Sequence, residues 1–310
     1  MDAFKVVFPK YATICLTSRC NAKCVHCSSG RISKLHEIPK EIVFSLLDDL
    51  NDCGVFQIGF SGGEPLMYPN IWEVLSVASK MNFKVGVGTN GYIISNSIAK
   101  KMQECGVNHV QISLDSLHEN VHDSFRNLKG LSQKAKESID ILQSAGLLVN
   151  ICMTPTRVNW TELSDMIDWC VSKGIHCFNL SQFVPIGNGN ISLDLTPQEW
   201  RTVLEIWQKK RDDYEGAMLF SAHEAQLALV ATDLFNKQHF DGCQAGRGVC
   251  CIRYDGSITP CVMMDVNCGN LYTESFKEVW GKSQVIRDLQ NRLNIKGKCS
   301  SCSMLYQSGQ

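Results

Sequence analysis

Hydrophobic residues recur along the first two-thirds of the chain in two alternating patterns. Short apolar runs that end at Gly, Ser or Asn predict strands, and longer segments with an apolar residue every three or four positions predict helices. The predicted strands span residues 11–16, 55–60, 83–88, 109–114, 147–153 and 176–181, and the predicted helices span residues 40–52, 71–81, 95–104, 133–145 and 161–173. This alternation predicts an α/β fold with a parallel sheet, shaped as an open, partial (β/α)6 barrel.

The pattern changes after about residue 190. Helices are predicted over residues 197–210 and 223–236, followed by a cysteine-rich segment and a last helix over residues 275–293. Within that segment Asp255-Gly256 predicts a hairpin with a two-residue turn. We place a domain boundary near Gly216, which divides the chain into a partial-barrel core, residues 1–215, and a small C-terminal α+β domain, residues 216–310.

Composition narrows the class of protein. The chain has a net charge of −1 and no run of like charges, which argues against nucleic acid or another polyanion as a partner. The first eleven residues lack the apolar run of a signal peptide, and no apolar stretch approaches the roughly 20 residues that span a bilayer. We therefore expect a cytoplasmic protein with no membrane partner.

Sixteen cysteines are present. A reducing cytoplasm disfavours disulfides, so these thiols are expected to bind metal, act in catalysis or pack in the interior. The six that stand alone in apolar segments are interpreted as buried thiols: Cys15, Cys53, Cys105, Cys152, Cys170 and Cys177. The others form two groups, one between residues 20 and 27 and one between residues 243 and 302.

The first group has the spacing C-x3-C-x2-C and follows the first predicted strand. Thiolates from Cys20, Cys24 and Cys27 can hold three irons of a [4Fe–4S] cube and leave the fourth iron open to a non-protein ligand. A zinc site with His26 as fourth ligand is the alternative. Structural zinc requires four closed ligands, and a residue adjacent to Cys27 is poorly placed to complete the tetrahedron.

The cysteine loop, together with Ser61-Gly62-Gly63-Glu64-Pro65 one βα unit later, resembles the radical S-adenosylmethionine (SAM) superfamily. The resemblance implies that Gly62, Gly63 and Glu64 bind the methionine ammonium group. Glycine lets a backbone approach a ligand closely, and a carboxylate is a suitable acceptor for a cation. The open iron is then expected to bind SAM, whose reductive cleavage gives a radical that removes a substrate hydrogen atom.

Other strand ends match the family's nucleoside contacts. The resemblance implies ribose contacts and adenine contacts at Ser113, Asp115, Thr89, Asn90, Pro185 and Gly187, with His26 in place of the usual aromatic residue. Capping of turns is the alternative role for the ribose-side residues. The family's chemistry also implies an external one-electron donor such as flavodoxin or ferredoxin.

The second group contains Cys243 and Cys261, which bracket the predicted hairpin, and Cys299 and Cys302 after the last helix. Four thiolates suit either an auxiliary [4Fe–4S] cluster or a zinc ribbon. The segment resembles the SPASM or twitch extension of radical SAM enzymes. Because the further cysteines of a full SPASM pattern do not follow, we expect the shorter twitch type with one auxiliary cluster.

Three cysteines remain near the auxiliary site: Cys250, Cys251 and Cys268. Because some radical epimerases return a hydrogen atom from a thiol, each is a candidate hydrogen-atom donor, or else a buried thiol or spare ligand. Alternation along a strand places the first two on opposite faces.

We expect an oxidoreductase or epimerase that acts on a polar small molecule such as a sugar, aminocyclitol or aminoglycoside. Only nineteen residues precede Cys20, which leaves no room for a domain that grips a leader peptide. A maturase that epimerises or cross-links a ribosomally made peptide is the first alternative. A non-catalytic metal-binding module is the second.

Overall fold

The computed structural model describes residues 7–30, 34–222, 227, 230, 243–291 and 300–301. Ten strands form one sheet in the order β10-β9-β8-β1-β2-β3-β4-β5-β6-β7. The strands are β1 (Tyr11–Thr17), β2 (Gln57–Gly62), β3 (Lys84–Thr89), β4 (His109–Ser113), β5 (Leu148–Met153), β6 (Cys177–Leu180), β7 (Leu219–Ala222), β8 (Val249–Ile252), β9 (Ser257–Thr259) and β10 (Gly269–Asn270). The strands from β8 through β1 to β7 are parallel, and β9 and β10 are antiparallel.

Helices connect most of the parallel strands, and two further helices follow the last strand. They are α1 (Lys40–Asp52), α2 (Ile71–Lys80), α3 (Asn96–Glu104), α4 (Glu119–Arg126), α5 (Leu131–Ser144), α6 (Leu163–Ser172), α7 (Pro197–Asp213), α8 (Phe276–Lys282) and α9 (Gln284–Gln290). A parallel sheet with helical crossovers and a C-terminal antiparallel region confirms the predicted fold class. None of the helices that the structure describes is long and apolar enough to cross a lipid bilayer.

The two faces of the sheet differ in chemistry. On β1, Ala12, Ile14 and Leu16 pack in the main core with the helices, while Cys15 lies in a separate small cluster with Cys251 and Tyr254. Successive side chains of a strand point to opposite faces. The inner face is therefore distinct from the helix-covered face, and the ends of its strands form the site described below.

Three local features differ from the predictions, and a fourth prediction is not tested. Helix α4 was not predicted, because only His122 and Phe125 of its eight residues are buried. The last helix is broken at Ser283 into α8 and α9. The hairpin turn has three residues rather than two, since Arg253 pairs with Ser257 and Gly256 takes a left-handed conformation with φ +78°. The helix predicted over residues 223–236 lies almost wholly outside the described residues.

The sheet continues across the predicted domain boundary at Gly216. Strand β7 pairs with β6, and β8 returns to pair with β1, so that Thr13 lies opposite Cys251. The antiparallel C-terminal strands are thus built onto the open edge of the parallel sheet. The division into residues 1–215 and 216–310 stays a prediction.

Helix α8 attaches the C-terminal region to the N-terminal part of the chain. Phe276 and Trp280 are fully buried, with ring centroids 5.5 Å apart. The backbone N–H of Phe276 donates to the Asp49 carboxylate of α1 at 2.8 Å, and the indole N–H of Trp280 donates to the carbonyl of Val7 at 2.9 Å. The two aromatic side chains therefore combine buried apolar area with satisfied polar groups.

We expect the substitution Trp280→Ala to lower the free energy of unfolding by about 3–5 kcal/mol, because it removes a fully buried indole and leaves a cavity. Tyr272→Ala is the control: this side chain is 52% exposed, and its loss should cost no more than about 0.5 kcal/mol. Chemical denaturation of both variants measures the difference. Equal destabilisation would contradict the packing of α8.

Candidate active site

A cavity of about 530 Å³ lies at the C-terminal ends of the parallel strands. Ligands bind at this edge in open parallel sheets and in barrels. The cavity brings together ten of the predicted residues, namely Cys20, Cys24, His26, Cys27, Gly62, Gly63, Glu64, Thr89, Asn90 and Ser113. Asp115, Pro185 and Gly187 do not line it.

The backbone brings the cysteine loop against the glycine pair. The N–H of Gly63 donates to the carbonyl of Thr17, and the N–H of Glu64 to the carbonyl of Arg19, both at 2.7 Å. Gly62 has φ +121°, and a side-chain carbon on Gly63 would overlap the Arg19 carbonyl oxygen. Glycine is therefore required twice, once for conformation and once for close approach.

Glu64 is buried beneath the cavity. Its Oε1 accepts a hydrogen bond of 2.8 Å from the Thr89 hydroxyl, and its Oε2 accepts one of 3.0 Å from the Asn90 backbone. Burial raises the pKa of Glu64 to about 7, although these hydrogen bonds act in the opposite direction. A buried carboxylate of this kind gains stability when a cation binds beside it.

Thr89 and Asn90, predicted as ribose contacts, also form hydrogen bonds within the protein. Besides its bond to Glu64, Thr89 accepts a hydrogen bond from the N–H of Gly91 at 3.1 Å. The Asn90 side-chain amide donates to Asn21 of the cysteine loop at 2.7 Å. Asn90 thus joins the end of β3 to the loop.

Asp115, predicted as a ribose contact, does not line the cavity. Its carboxylate is fully buried and forms an ion pair with Arg126 at 2.7 Å, and its other oxygen accepts from the Thr154 backbone at 3.0 Å. Burial alone would raise the pKa of Asp115, but the Arg126 guanidinium outweighs it, and the pKa is lowered. Arg126, rather than Asp115, reaches the cavity.

The predicted adenine turn packs on the cysteine loop. A side-chain carbon on Gly187 would overlap the carbonyl oxygens of Cys27 and Ser28, and the Asn188 N–H donates to the Cys27 carbonyl at 2.9 Å. Phe183 and Val184, next to Pro185, line the cavity instead. The turn therefore contributes apolar wall through these two residues.

His26 stacks on Phe125, with ring centroids 4.2 Å apart and planes 8° apart. Its Nδ1 is buried and has no hydrogen-bond partner among the described residues. Burial lowers the pKa of His26 to about 4, so the ring is neutral at physiological pH. One ring face is occupied by Phe125, which leaves the other for a second planar group.

The thiols of the cysteine loop suit a cluster. Cys20, Cys24 and Cys27 face the same cavity, yet nowhere in the described part of the chain do three His, Cys, Asp or Glu groups converge on one metal ion. A [4Fe–4S] cube holds each of its thiolates on a separate iron, so three thiols that line one cavity suit it. Burial raises the pKa of Cys20 to about 11, so cluster binding would release its proton.

Half of the predicted auxiliary ligand set is described. The N–H of Gly246 donates to the Pro260 carbonyl at 2.9 Å, which holds the loop of Cys243 beside that of Cys261. Burial, with the charge of Cys243 adding to it, raises the pKa of Cys261. Cys299 and Cys302 lie outside the described residues.

The three candidate hydrogen donors occupy different places. Cys250 lies in the helix-side core, and Cys251 lies with Cys15 on the other face, their sulfurs 3.9 Å apart. The Cys268 sulfur contacts the Val266 carbonyl at 3.7 Å. None of the three lines the cavity, whereas Cys152, interpreted from the sequence as a plain buried thiol, does.

Sequence reasoning also missed several other residues of the cavity wall, among them Arg126 and Gln111. Arg126 ends helix α4, which was not predicted because only two of its eight residues are buried. Gln111 sits two residues before Ser113 on β4, and the period of two along a strand would have placed it on the same face.

Comparison with known families identifies the class of protein. A model of the radical SAM superfamily matches residues 14–170, which is half of the chain, and a model of the SPASM iron–sulfur cluster-binding domain matches residues 243–303. The chain therefore belongs to the radical SAM superfamily, as the motifs predicted, and it is an enzyme. Its cofactors are SAM, the [4Fe–4S] cluster of the radical SAM domain and auxiliary iron–sulfur chemistry in the SPASM region.

Individual relatives carry several functions. The AdoMet-dependent heme synthase of Methanosarcina barkeri is 25% identical over 93% of this chain and 86% of its own length. The mycofactocin maturase MftC of Mycolicibacterium smegmatis is 30% identical over 94% of this chain and 76% of its own length. The structure of Streptococcus suis SuiB bound to precursor peptide SuiA has a TM-score of 0.81 at 19% identity, covering 96% of this chain and 70% of that one, which shows a shared fold.

The raised pKa of Glu64 predicts a pH-dependent stability difference in the chain without SAM. Between the ordinary value of 4.5 and about 7, the folded state retains a proton that the unfolded state has lost. The stability contributed by this group therefore falls as pH rises. We expect the stability of Glu64→Gln relative to wild type to increase with pH across this window, by up to about 1.4 kcal/mol per pH unit.

Urea unfolding at several pH values measures this difference. Glu205→Gln, which removes a half-exposed carboxylate from α7, is the matched control. A pH-dependent difference of the same size in both variants would contradict a specific role of the buried carboxylate.

The close approach of Gly63 predicts a second effect. Gly63→Ala should lower the free energy of unfolding by about 1–3 kcal/mol, because the added methyl group overlaps backbone that cannot rotate away. Gly281→Ala has open space around the new methyl group and lies within α8, so it should stabilise by about 0.5–1 kcal/mol. Thermal or urea unfolding of both variants tests the contrast; a neutral Gly63→Ala would be inconsistent with the observed packing.

Proposed function

We propose that this chain is a radical SAM maturase that modifies a ribosomally made peptide by removing a hydrogen atom from it. The single observation that carries the radical chemistry is the shared cavity, in which the thiols of Cys20, Cys24 and Cys27 face the buried carboxylate of Glu64. That arrangement offers a cluster site and a cation acceptor side by side, as binding of SAM through its ammonium group requires.

The protein's own groups would orient the substrate and exclude water. Bound SAM and the cluster would supply the reductive bond cleavage and the radical. Gly62 and Gly63 bring backbone to the methionine end, while Ser113 lies at the ribose side. Phe183 and Val184 provide an apolar wall for adenine. In this assignment Asp115 acts through Arg126 rather than by contacting ribose.

The choice of a peptide over a sugar rests on the relatives. A maturase is 30% identical over most of the chain, and a protein of the same fold has been seen with a precursor peptide. These favour the peptide alternative over the sugar, aminocyclitol or aminoglycoside substrate expected first. The inner wall presents neutral polar groups at Gln111, Ser113 and Thr154, which suit an uncharged polar substrate.

The auxiliary site and the hydrogen donor remain proposals. Cys243 and Cys261, with Cys299 and Cys302, would hold one auxiliary [4Fe–4S] cluster. Of the three candidate donors, Cys251 has the most suitable place, because its side chain lies on the inner face beside Cys15. Cys250 lies on the helix side.

The ligand assignment predicts the outcome of removing one thiol. In anaerobically reconstituted protein, Cys24→Ala should lose about four irons per chain and all reductive cleavage of SAM to 5′-deoxyadenosine. Cys105→Ala, which removes a thiol from the end of α3, is the control and should retain both. Iron and sulfide analysis and chromatography of 5′-deoxyadenosine measure the result. Cleavage that persists in Cys24→Ala would refute the site.

The substrate class is tested by isotope transfer. Wild-type protein is incubated with SAM and a reductant in the presence of perdeuterated peptides, a perdeuterated sugar or a deuterated porphyrin. The proposal expects deuterium in 5′-deoxyadenosine from the peptides alone. Transfer from the sugar or the porphyrin in place of the peptides would exclude it.

A further inference from the structure

The C-terminal end of α4 contacts the cysteine loop through three separate groups. The carbonyl of Phe125 accepts a hydrogen bond of 3.0 Å from the backbone N–H of Val25. The ring of Phe125 stacks on His26, and the guanidinium of Arg126 approaches the sulfur of Cys24 at 3.9 Å. Three consecutive residues of the cysteine loop thus contact two consecutive residues of α4.

Arg126 is held rigidly in this position. Its Nε and one terminal nitrogen both donate to the same Asp115 oxygen at 2.7 Å. Asp115 is fixed in turn by its contact with the Thr154 backbone and by its own carbonyl, which accepts from Asn159 at 2.8 Å. The Arg126 side chain is only 11% exposed. The remaining terminal nitrogen is the one that faces Cys24.

Within the Arg126–Asp115 ion pair, the positively charged guanidinium is the group that faces the Cys24 thiol. Burial alone would lower the pKa of Arg126, but Asp115 and then Cys24 outweigh it, so the guanidinium remains charged. The carboxylate of Asp115 lies on the side of the guanidinium away from the loop thiol. Charge–charge interactions are strong where solvent is excluded, and N–H groups directed at a ligand sulfur stabilise a cluster in its more negative state.

We propose that Arg126 is a positioning residue that raises the reduction potential of the first cluster by holding a fixed positive charge and an N–H donor against Cys24. The inference rests on the proposed assignment of Cys24 as a cluster ligand. One-electron reduction adds a negative charge to the cluster, and the nearby guanidinium stabilises the product more than the reactant. Asp115 fixes the geometry, and Phe125 sets the path of the loop.

The experiment is a redox titration of the full chain with its clusters reconstituted. The electron paramagnetic resonance signal that changes on addition of SAM identifies the first cluster, and its midpoint potential is the readout. Arg126→Met removes the charge and the donor, while Arg126→Lys keeps the charge. Arg201→Met removes an arginine from an exposed pair on α7 and serves as the control.

We expect Arg126→Met to shift the reduction equilibrium at least tenfold toward the oxidised cluster, which corresponds to 59 mV for a one-electron couple. Arg126→Lys keeps the positive charge, so its midpoint potential should stay close to that of the wild type. Arg201→Met should leave the potential unchanged. If Arg126 had a purely structural role, its variants would lower the iron content, but the midpoint potential would not differ between Arg126→Met and Arg126→Lys. A shift of less than threefold in Arg126→Met, or a shift toward the reduced cluster, would overturn the proposal.

Removing Arg126 alone leaves a buried carboxylate without a partner, which can prevent folding. The double variant Asp115→Asn/Arg126→Met removes both charges and keeps the proposal testable: it should fold, bind iron and show the same negative shift. An unchanged potential in this variant with full iron content would also overturn the proposal. Retention of the SAM-responsive signal in Cys24→Ala would instead refute the ligand assignment, so the two failures are distinguishable.

Discussion

The site depends on the close approach of two backbone segments at the ends of β1 and β2. Parallel pairing brings Cys15 opposite Ser61 and Thr17 opposite Gly62, and the N–H groups of the next two residues then bond to the start of the cysteine loop. This contact fixes the distance between the loop thiols and the Glu64 carboxylate. Gly62 and Gly63 are required because the two backbone segments pack so closely. Since neither residue has a side chain, their backbone is also accessible to a ligand in the cavity.

The charges of the cavity are arranged before any ligand arrives. Glu64 is buried with hydrogen bonds that do not fully offset its desolvation, so its pKa is raised, whereas Asp115 is fully compensated by Arg126 and its pKa is lowered. The two carboxylates therefore have different roles although both lie at strand ends. Glu64 has no cationic partner among the described residues and can bind an added cation. Asp115 is already paired with Arg126, which it holds in the cavity wall.

Much of the fold followed from periodicity, and the reason is visible in particular elements. Helix α1 buries Val43, Leu46, Leu47 and Leu50 on one side, so its bounds were predicted correctly. Helix α4 has only eight residues and buries only His122 and Phe125, so the sequence offered too few apolar positions to predict it. The motif residues at β2 and the cysteine loop were brought together as predicted. The ion pair of Asp115 was not predicted, because its partner Arg126 lies eleven residues away on the helix that the pattern missed.

The strand alternation also decides which sulfurs can take part in chemistry. On β8, Cys250 turns to the helix-side core while Cys251 turns to the inner face, and on β5 Cys152 reaches the cavity itself. Burial raises the pKa of Cys152 to about 12, so this thiol keeps its proton at physiological pH. Protonated thiols on the inner face can donate hydrogen atoms, and thiols on the other face are separated from the cavity by the sheet. Among the described residues, strand alternation places Cys15, Cys152, Cys177 and Cys251 on the inner face, so these thiols are the candidates to meet a substrate radical.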